Sequence, residues 1–500
     1  MKIAVVGAGI SGASVVKSLL SHDNFKVTDQ IDIYEPRESL GVGLPYMATE
    51  DDSIRLNVTP DVLSVIENNP DDFNEWLEDH KEESTDFEEL VSRPAYGRYL
   101  MERFESYFSH QQVSHIQTFV EDLDILDANT EKPVTPDQDT SYVYRLKTNE
   151  GWQENIYDAV FFTTGHPPYN DYYDLKEAKN YIHNPYPMNE KLVHVNSAKK
   201  IGIIGSGATG IDLMRYLMLN HDLKRSLTFF DIQPPFNFVN IPLKQEDFAF
   251  TFSKEWIQTE KENHDGFIPL EVILEVFKVD MKAENVDVKA VYKKYKANTL
   301  TAKREAFETK DQNLAVIHEY VSRLVALLPH LFNALNGEDK QFYLDHYHAK
   351  LLFFKSRVPY TTYEWLFELL DVGQVEAVAG LTNIEIQENG SFLVTADKEE
   401  QVDLLINATG FDTKLLSIAN YSPLIKNLYH KEIILPHKNG HYILVDWPQC
   451  RVLNQRYGLM DNVFFLGLLI GATQYENNDA TLAMDQASYS ATWFMEQRTK

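Results

Sequence analysis

Lys2-Ile-Ala-Val-Val-Gly-Ala-Gly-Ile-Ser-Gly12 is the stretch on which the fold turns. Ile3 to Val6 form a short apolar run, and Gly7, Gly9 and Gly12 follow in Gly-x-Gly-x-x-Gly spacing. In a strand–turn–helix unit the first glycine makes the tight turn. The second lets a pyrophosphate approach the backbone, and the third lets the helix pack on the strand. A helix from about Ile10 to Leu20 then starts with Ile10 and Ser11, whose N–H groups and helix dipole suit phosphate charge. The next apolar run, Gln30-Ile-Asp-Ile-Tyr-Glu35, ends in an acid. Glu35 stands about twenty residues past the turn, where such folds place a carboxylate on ribose hydroxyls. A glycine triplet alone is weak, but here strand, helix and acid supply the context it requires.

The motif returns. Lys200-Ile-Gly-Ile-Ile-Gly-Ser-Gly-Ala-Thr-Gly210 repeats the pattern with Gly205, Gly207 and Gly210. A second pair echoes as well: Asp158-Ala-Val-Phe-Phe-Thr-Thr-Gly165 and Asp403-Leu-Leu-Ile-Asn-Ala-Thr-Gly410 are both apolar strands ending in Thr-Gly. The alternating order predicts an α/β protein of two Rossmann-like dinucleotide-binding domains, the second inserted in the first. The first domain is expected over residues 1–190 and 405–500, the second over 191–404. Between about 248 and 354 the composition turns to Lys, Glu, Leu, Phe and Tyr. Leu314, Ile317, Val321, Leu324 and Leu328 fall at helical spacing. This reads as a mostly helical insertion packed on the second domain, and also as a cap that selects substrate.

Charge narrows the partners. The 500 residues carry a formal net charge of −29, a field that repels nucleic acid and anionic membranes. The N-terminal apolar stretch could imitate a secretory signal, but its spaced glycines, Ser11, Ser14 and Lys17 argue against one. The apolar run Val463 to Ala472 is far short of the about 20 residues that span a bilayer. Cys450 is the single cysteine, so no internal disulfide or Cys-x-x-Cys pair exists. A cytoplasmic protein is expected, with a small-molecule substrate and neither nucleic acid nor membrane as partner.

Further stretches carry a resemblance. Gly41-Val-Gly-Leu-Pro-Tyr46 is a glycine-broken loop after the acid, followed by Leu56-Asn-Val58 and Tyr96-Gly-Arg-Tyr99. At these residues the chain resembles FAD/NAD(P)-binding flavoproteins that include FAD-dependent urate hydroxylase-like members, distant relatives of flavin-containing and N-hydroxylating monooxygenases. The resemblance covers residues 1–170 and returns at about 340–500. It implies FAD at the first glycine motif. It places Leu44, Asn57, Val58 and Arg98 near the flavin or its phosphates, and Val120 on a strand whose backbone reads the adenine. Thr164 and Gly165 end the first Thr-Gly strand beside the cofactor. Asn57 reads equally as a turn residue and Arg98 as a solvated helix arginine. Late in the chain, Asn462-Val-Phe-Phe-Leu-Gly467 is a strand running to Gly467, and Asn477-Asn-Asp-Ala480 caps a helix to about Gln497. Asn478 or Asp479 is the expected cap, and that helix N-terminus is expected to face the flavin, where charge accumulates on reduction.

At the second motif the resemblance implies a nicotinamide nucleotide, NADH or NADPH. The strand after it ends in Asp231 and continues Ile232-Gln-Pro-Pro-Phe-Asn237 without an arginine. An acid there favours a free 2′-hydroxyl over a 2′-phosphate, so NADH, or a site that no longer binds nicotinamide, fits better than NADPH. His346-Tyr-His348 has metal spacing but lacks further ligands, and no metal is expected. Arg357 reads as a charged group at a domain interface or as a surface arginine. Flavin-based hydroxylation needs few protein side chains, so no catalytic residue is legible. The function expected is an FAD-dependent oxidoreductase, a monooxygenase reduced by NAD(P)H. A reductase or oxidase without oxygen insertion, or a flavin-bound interaction protein, fits the same motifs.

Overall fold

Ile3, Ala4 and Val5 have no exposed surface, because their strand, Lys2–Val6, runs through the middle of a parallel sheet. Strands buried on both faces read as unbroken apolar runs. In the computed structural model, residues 1–80, 90–134, 141–245, 247–437, 439–475 and 478–498 are described. Their contacts divide the chain into a first unit, Met1–Asp52, Val58–Pro168 and Phe411–Lys500, and a second, Ser53–Asn57 and Tyr169–Gly410.

The sheet of the first unit runs Arg451–Asn454, Gly458–Phe465, Ala159–Phe162, Lys2–Val6, Gln30–Tyr34, Val113–Ile116. All neighbours are parallel except the first two. Val463 pairs with Val160, and Val5 with Phe161, so late and early segments share one sheet. Aromatic packing reinforces the joint. Phe161 stacks on Phe464 at 4.4 Å, and Phe494 of helix Ala480–Gln497 meets both edge-on. That helix packs beside Ile10–Ser21. An antiparallel sheet, Val120–Asp127, Tyr142–Thr148 and Gly151–Tyr157, adds Leu123, Tyr144, Leu146 and Tyr157 to the same core.

The second unit holds five parallel strands in the order Val375–Val378, Leu227–Phe230, Ile201–Ile204, Leu404–Asn407, Tyr181–Ile182. Two expected boundaries move. The division at 190 falls instead after Pro168, because Tyr181 pairs with Leu405 and draws its surroundings into the second sheet. The return expected at 405 comes after Gly410, because Leu404–Asn407 is an interior strand of that sheet. Ser53–Asn57 also belongs to the second unit, with Ile54 fully buried in its core.

Eight helices lie between Lys254 and Lys355. The expected apolar face from Leu314 to Leu328 is split between Gln312–Val325 and Leu328–Ala334, which bend by 73°. Leu314, Ile317 and Val321 are buried against the second unit's core, so their spacing records packing. Among the described residues no single helix is long and apolar enough to cross a membrane.

Candidate functional site: two glycine turns

In the first unit the glycine turn and the Thr-Gly strand are built against each other. Gly7 has φ +103°, and a Cβ there would collide with the Thr163 carbonyl oxygen. The Thr163 hydroxyl donates to the Gly7 carbonyl at 2.7 Å. The strand-end acid closes on the same turn. The Ala8 N–H donates to Glu35 Oε2 at 3.0 Å. Arg37 Nε donates to Oε1 at 2.8 Å. Burial pushes the Glu35 carboxyl up, but Arg37 and the Ala8 N–H outweigh it and hold the group below its usual range. Arg37 stands two residues from Glu35, and the sequence reading overlooked it.

The helices behind the two motifs share one feature. Ile10–Ser21 and Ala208–Asn220 begin at Gly9 and Gly207 with no side-chain cap. By contrast, Ser92, Asp311 and Asp479 each accept from a first-turn N–H of their own helices. The glycine-capped helices therefore keep their first-turn N–H groups free of capping side chains, as anion binding requires.

Gly165 and Gly467 follow adjacent strands of the first sheet with φ of +76° and +90°, each facing open space. His166 comes directly after. Its ring lies 4.6 Å from that of Phe411, and its Nε2 is 3.2 Å from Asn478 Oδ1. Burial lowers the imidazole from its usual value, against the pull of Asn478. Asp479 caps the helix at Leu482 N–H, which settles the cap between it and Asn478. Asn477 lies outside the described residues. His166 was missed although it adjoins the Thr-Gly motif, because a lone histidine carries no spacing signal.

The second unit repeats the construction. Gly205 has φ +94°, and a Cβ there would lie 2.6 Å from the Ala408 carbonyl oxygen. Gly210 packs against the Gly205 carbonyl in the same way. The turn, Thr409, Gly410, Tyr173 and Asp231 line a groove of about 450 Å³. A Cβ on Gly207 would meet nothing within 4 Å, so this backbone is open to the groove. Ser206 Oγ donates to Asp231 Oδ2 at 2.6 Å and accepts the Phe236 N–H at 2.7 Å. No arginine follows Asp231, as the sequence says, yet a lysine arrives from afar. Lys303, fully buried, donates through Nζ to the carbonyls of Pro235 at 2.8 Å and Pro234 at 3.3 Å. Burial lowers its ammonium to about 7, with Asp231 acting in the opposite direction.

The remaining expected residues scatter. Leu44 lies in a short 3-10 turn and, like Val58, is partly exposed. Arg98 donates to the Ala48 carbonyl at 3.3 Å and sits 3.7 Å from Asp52. Asn57 is exposed and is grouped with the second unit, whereas Val58 and Arg98 belong to the first. Val120 is buried, pairing with Thr148 at the start of the antiparallel sheet. The tyrosine-rich motif is a packing device. Tyr96 and Tyr99 are fully buried, and a Cβ on Gly97 would collide with the Tyr46 carbonyl oxygen. Arg357 binds the His318 carbonyl at 2.9 Å and Ser322 at 2.7 Å, both within its own unit. His346 contacts the Phe342 carbonyl, and among the described residues no cluster of three potential ligands could hold a metal.

Glycine turns at the carboxyl ends of parallel strands are an arrangement that dinucleotide-binding folds share. Residues 4–167 match the model of the FAD-NAD(P)-binding family. The resemblance read from the sequence is met there. Three solved structures share the fold across nearly the whole chain. L-lysine 6-monooxygenase from Pseudomonas syringae is 13% identical with a TM-score of 0.59, covering 100% of this chain and 99% of that one. The FAD-bound cadaverine monooxygenase DfoA from Erwinia amylovora is 13% identical with a TM-score of 0.55, covering 99% and 94%. The ornithine N-hydroxylase KtzI from Kutzneria sp. 744, with reduced FAD, NADP+ and L-ornithine, is 12% identical with a TM-score of 0.55, covering 100% and 99%. No curated protein matches the chain.

Proposed function

We propose that the chain is an FAD-dependent monooxygenase that is reduced by a nicotinamide dinucleotide and acts on a small molecule. One observation carries the reading: each unit has an uncapped helix behind a glycine turn, and a strand-end acid bonded to that turn. Both features suit a dinucleotide, with pyrophosphate at the helix and ribose at the acid. The match of residues 4–167 supports FAD in the first unit. The fold shared with two monooxygenases and an ornithine N-hydroxylase supports oxygen insertion.

Bound FAD supplies the redox chemistry. The protein's part is placement. Gly9 and the first turn of Ile10–Ser21 receive the pyrophosphate, and Glu35, fixed by Arg37 and Ala8, accepts ribose hydroxyls through its remaining lone pairs. Thr164, Gly165, Gly467 and the helix end at Asp479 border the flavin side of the same sheet. His166, held neutral near pH 7 by burial, is placed to donate or accept one hydrogen bond there. In the second unit the Gly205–Gly207 turn and the first turn of Ala208–Asn220 receive the nicotinamide nucleotide's phosphates, and Gly210 lets that helix pack against the turn. Asp231 offers the oxygen that Ser206 leaves open, which favours NADH over a 2′-phosphate.

The test is the reaction of the anaerobically reduced protein with oxygen, followed by stopped-flow absorbance. A transient band distinct from both oxidised and reduced flavin supports oxygen insertion. Direct return to oxidised flavin overturns it in favour of a reductase or oxidase.

A further inference from the structure

Arg357 is a fixed cation that no acid answers. Arg37, Arg103, Arg304 and Arg451 each meet a carboxylate within 2.8 Å, as a chain of net charge −29 leads one to expect. Arg357 instead opens the strand Arg357–Val358, which pairs in parallel with Phe238–Val239. Three neutral oxygens hold its guanidinium. One Nη donates to Asn240 Oδ1 at 3.2 Å and to the His318 carbonyl at 2.9 Å, and the other donates to Ser322 Oγ at 2.7 Å. His318 and Ser322 come from helix Gln312–Val325, and Asn240 is tied to the strand by its N–H, which donates to the Val358 carbonyl at 2.8 Å. Among the described residues no carboxylate pairs with Arg357. Glu319, the acid that acts on it, is already bound by Arg323 at 2.7 Å. The His318 imidazole is buried, and burial with the nearby Arg357 holds it neutral, so it adds no charge.

The contacts that hold Arg357 use up acceptors and leave donors. A guanidinium has five N–H groups. Three are engaged here, so the Nε–H and one Nη hydrogen remain. Asn240 keeps its side-chain NH2 and Ser322 its O–H, neither with an acceptor among the described residues. Both residues are exposed, so the cluster is open to a ligand. It offers donors, one positive charge and no unpaired acid. We infer that Arg357, Asn240 and Ser322 form a binding site for the carboxylate of a small molecule. A carboxylate accepts through two oxygens with about four lone-pair sites, which the Nε–H, the Nη–H, the amide and the hydroxyl can fill. Its single negative charge matches the single guanidinium, whereas a phosphate monoester brings about −1.5 to −2. The guanidinium is fixed before the ligand arrives, and its planar fork suits a carboxylate. The inference goes beyond the flavin and nicotinamide reading and does not rest on it.

The test is phenylglyoxal labelling of the full-length protein, read arginine by arginine by peptide mass spectrometry. Acetate, succinate or inorganic phosphate is added against chloride at constant ionic strength. Labelling at Arg357 should fall about tenfold as acetate or succinate saturates the site, while Arg304, paired with Asp371, keeps its rate. Asn240→Asp sets a permanent carboxylate beside the guanidinium and should abolish the effect of added anions. Ser322→Ala removes one donor at an exposed helix position and should weaken the apparent affinity several-fold, a readout that remains if the first variant fails to fold. Protection by phosphate and not by the carboxylates would overturn the carboxylate assignment. Equal rates in all four anions, or an Arg357 that phenylglyoxal never reaches, would overturn the site itself and leave Arg357 as a tie between strand and helix. The yellow colour of the protein and its reduction by NADH are separate readouts, so failure here and failure of the flavin reading are distinguishable.

Discussion

Gly207→Val separates folding from nucleotide binding in the second unit. The native backbone there has φ −76° and ψ −160°, an extended conformation open to any residue. A Cβ at this position meets nothing within 4 Å, so valine introduces no clash at its Cβ. The remaining folding cost is the loss of a favourable helix N-cap, about 1 kcal/mol. That is roughly 2–4 °C of melting temperature for a domain of this size. Binding responds differently. The new methyl groups fill the space through which a pyrophosphate reaches the first-turn N–H groups of Ala208–Asn220. Losing one or two charge-assisted hydrogen bonds at about 1.5–3 kcal/mol each weakens affinity by roughly tenfold to about 20,000-fold. Calorimetric titration of the FAD-loaded variant with NAD+ and NADP+, beside its thermal unfolding, reads both quantities. Native affinity in the variant would refute the phosphate assignment. A melting temperature lowered by more than about 10 °C would refute the claim that the position is free.

Three further outcomes follow from buried contacts. Glu35→Gln should cost about 1–3 kcal/mol and weaken FAD retention. Because the Glu35 carboxyl is held below its usual range, its contribution is complete above the unfolded value and is lost as pH falls through the folded one. Urea unfolding at pH 7 and at pH 3 should therefore show the variant and native proteins converging in acid. Lys303→Met should remove a pH slope. The native ammonium sits near 7 against about 10.4 unfolded, so native stability should rise between those values while the variant's stays flatter. Gly97→Ala drives a Cβ into the Tyr46 carbonyl and should destabilise the first unit by about 1–3 kcal/mol, visible as a lower melting temperature.

What the sequence discloses follows from locality. The two glycine motifs, their strands and the Thr-Gly echoes are short contiguous patterns. The structure places each motif against its Thr-Gly strand, through Gly7 with Thr163 and Gly205 with Ala408. Helical content between 248 and 354 was equally legible, because Leu314, Ile317 and Val321 keep a 3.6-residue period. What escaped is non-local. Tyr181–Ile182 is too short to carry a period, so the boundary at 190 was misplaced. Ser53–Asn57 has no regular pattern, and only the burial of Ile54 reveals which unit it joins. Lys303 reads as one charge among many in a Lys- and Glu-rich helix, and its place beside the Asp231 loop exists only in the fold. Tyr96, Gly97 and Tyr99 were legible as a motif, but their role as packing around Tyr46 was not.

The central claim is that one chain holds a flavin in its first unit and accepts reducing equivalents from a nicotinamide dinucleotide in its second. Anaerobic titration of the purified protein with NADH, followed through the flavin absorption bands, tests it most directly. The account predicts a yellow protein with stoichiometric, non-covalent FAD that an equimolar amount of NADH bleaches. A colourless protein that cannot be reconstituted with FAD, or a bound flavin that neither NADH nor NADPH reduces, would contradict it.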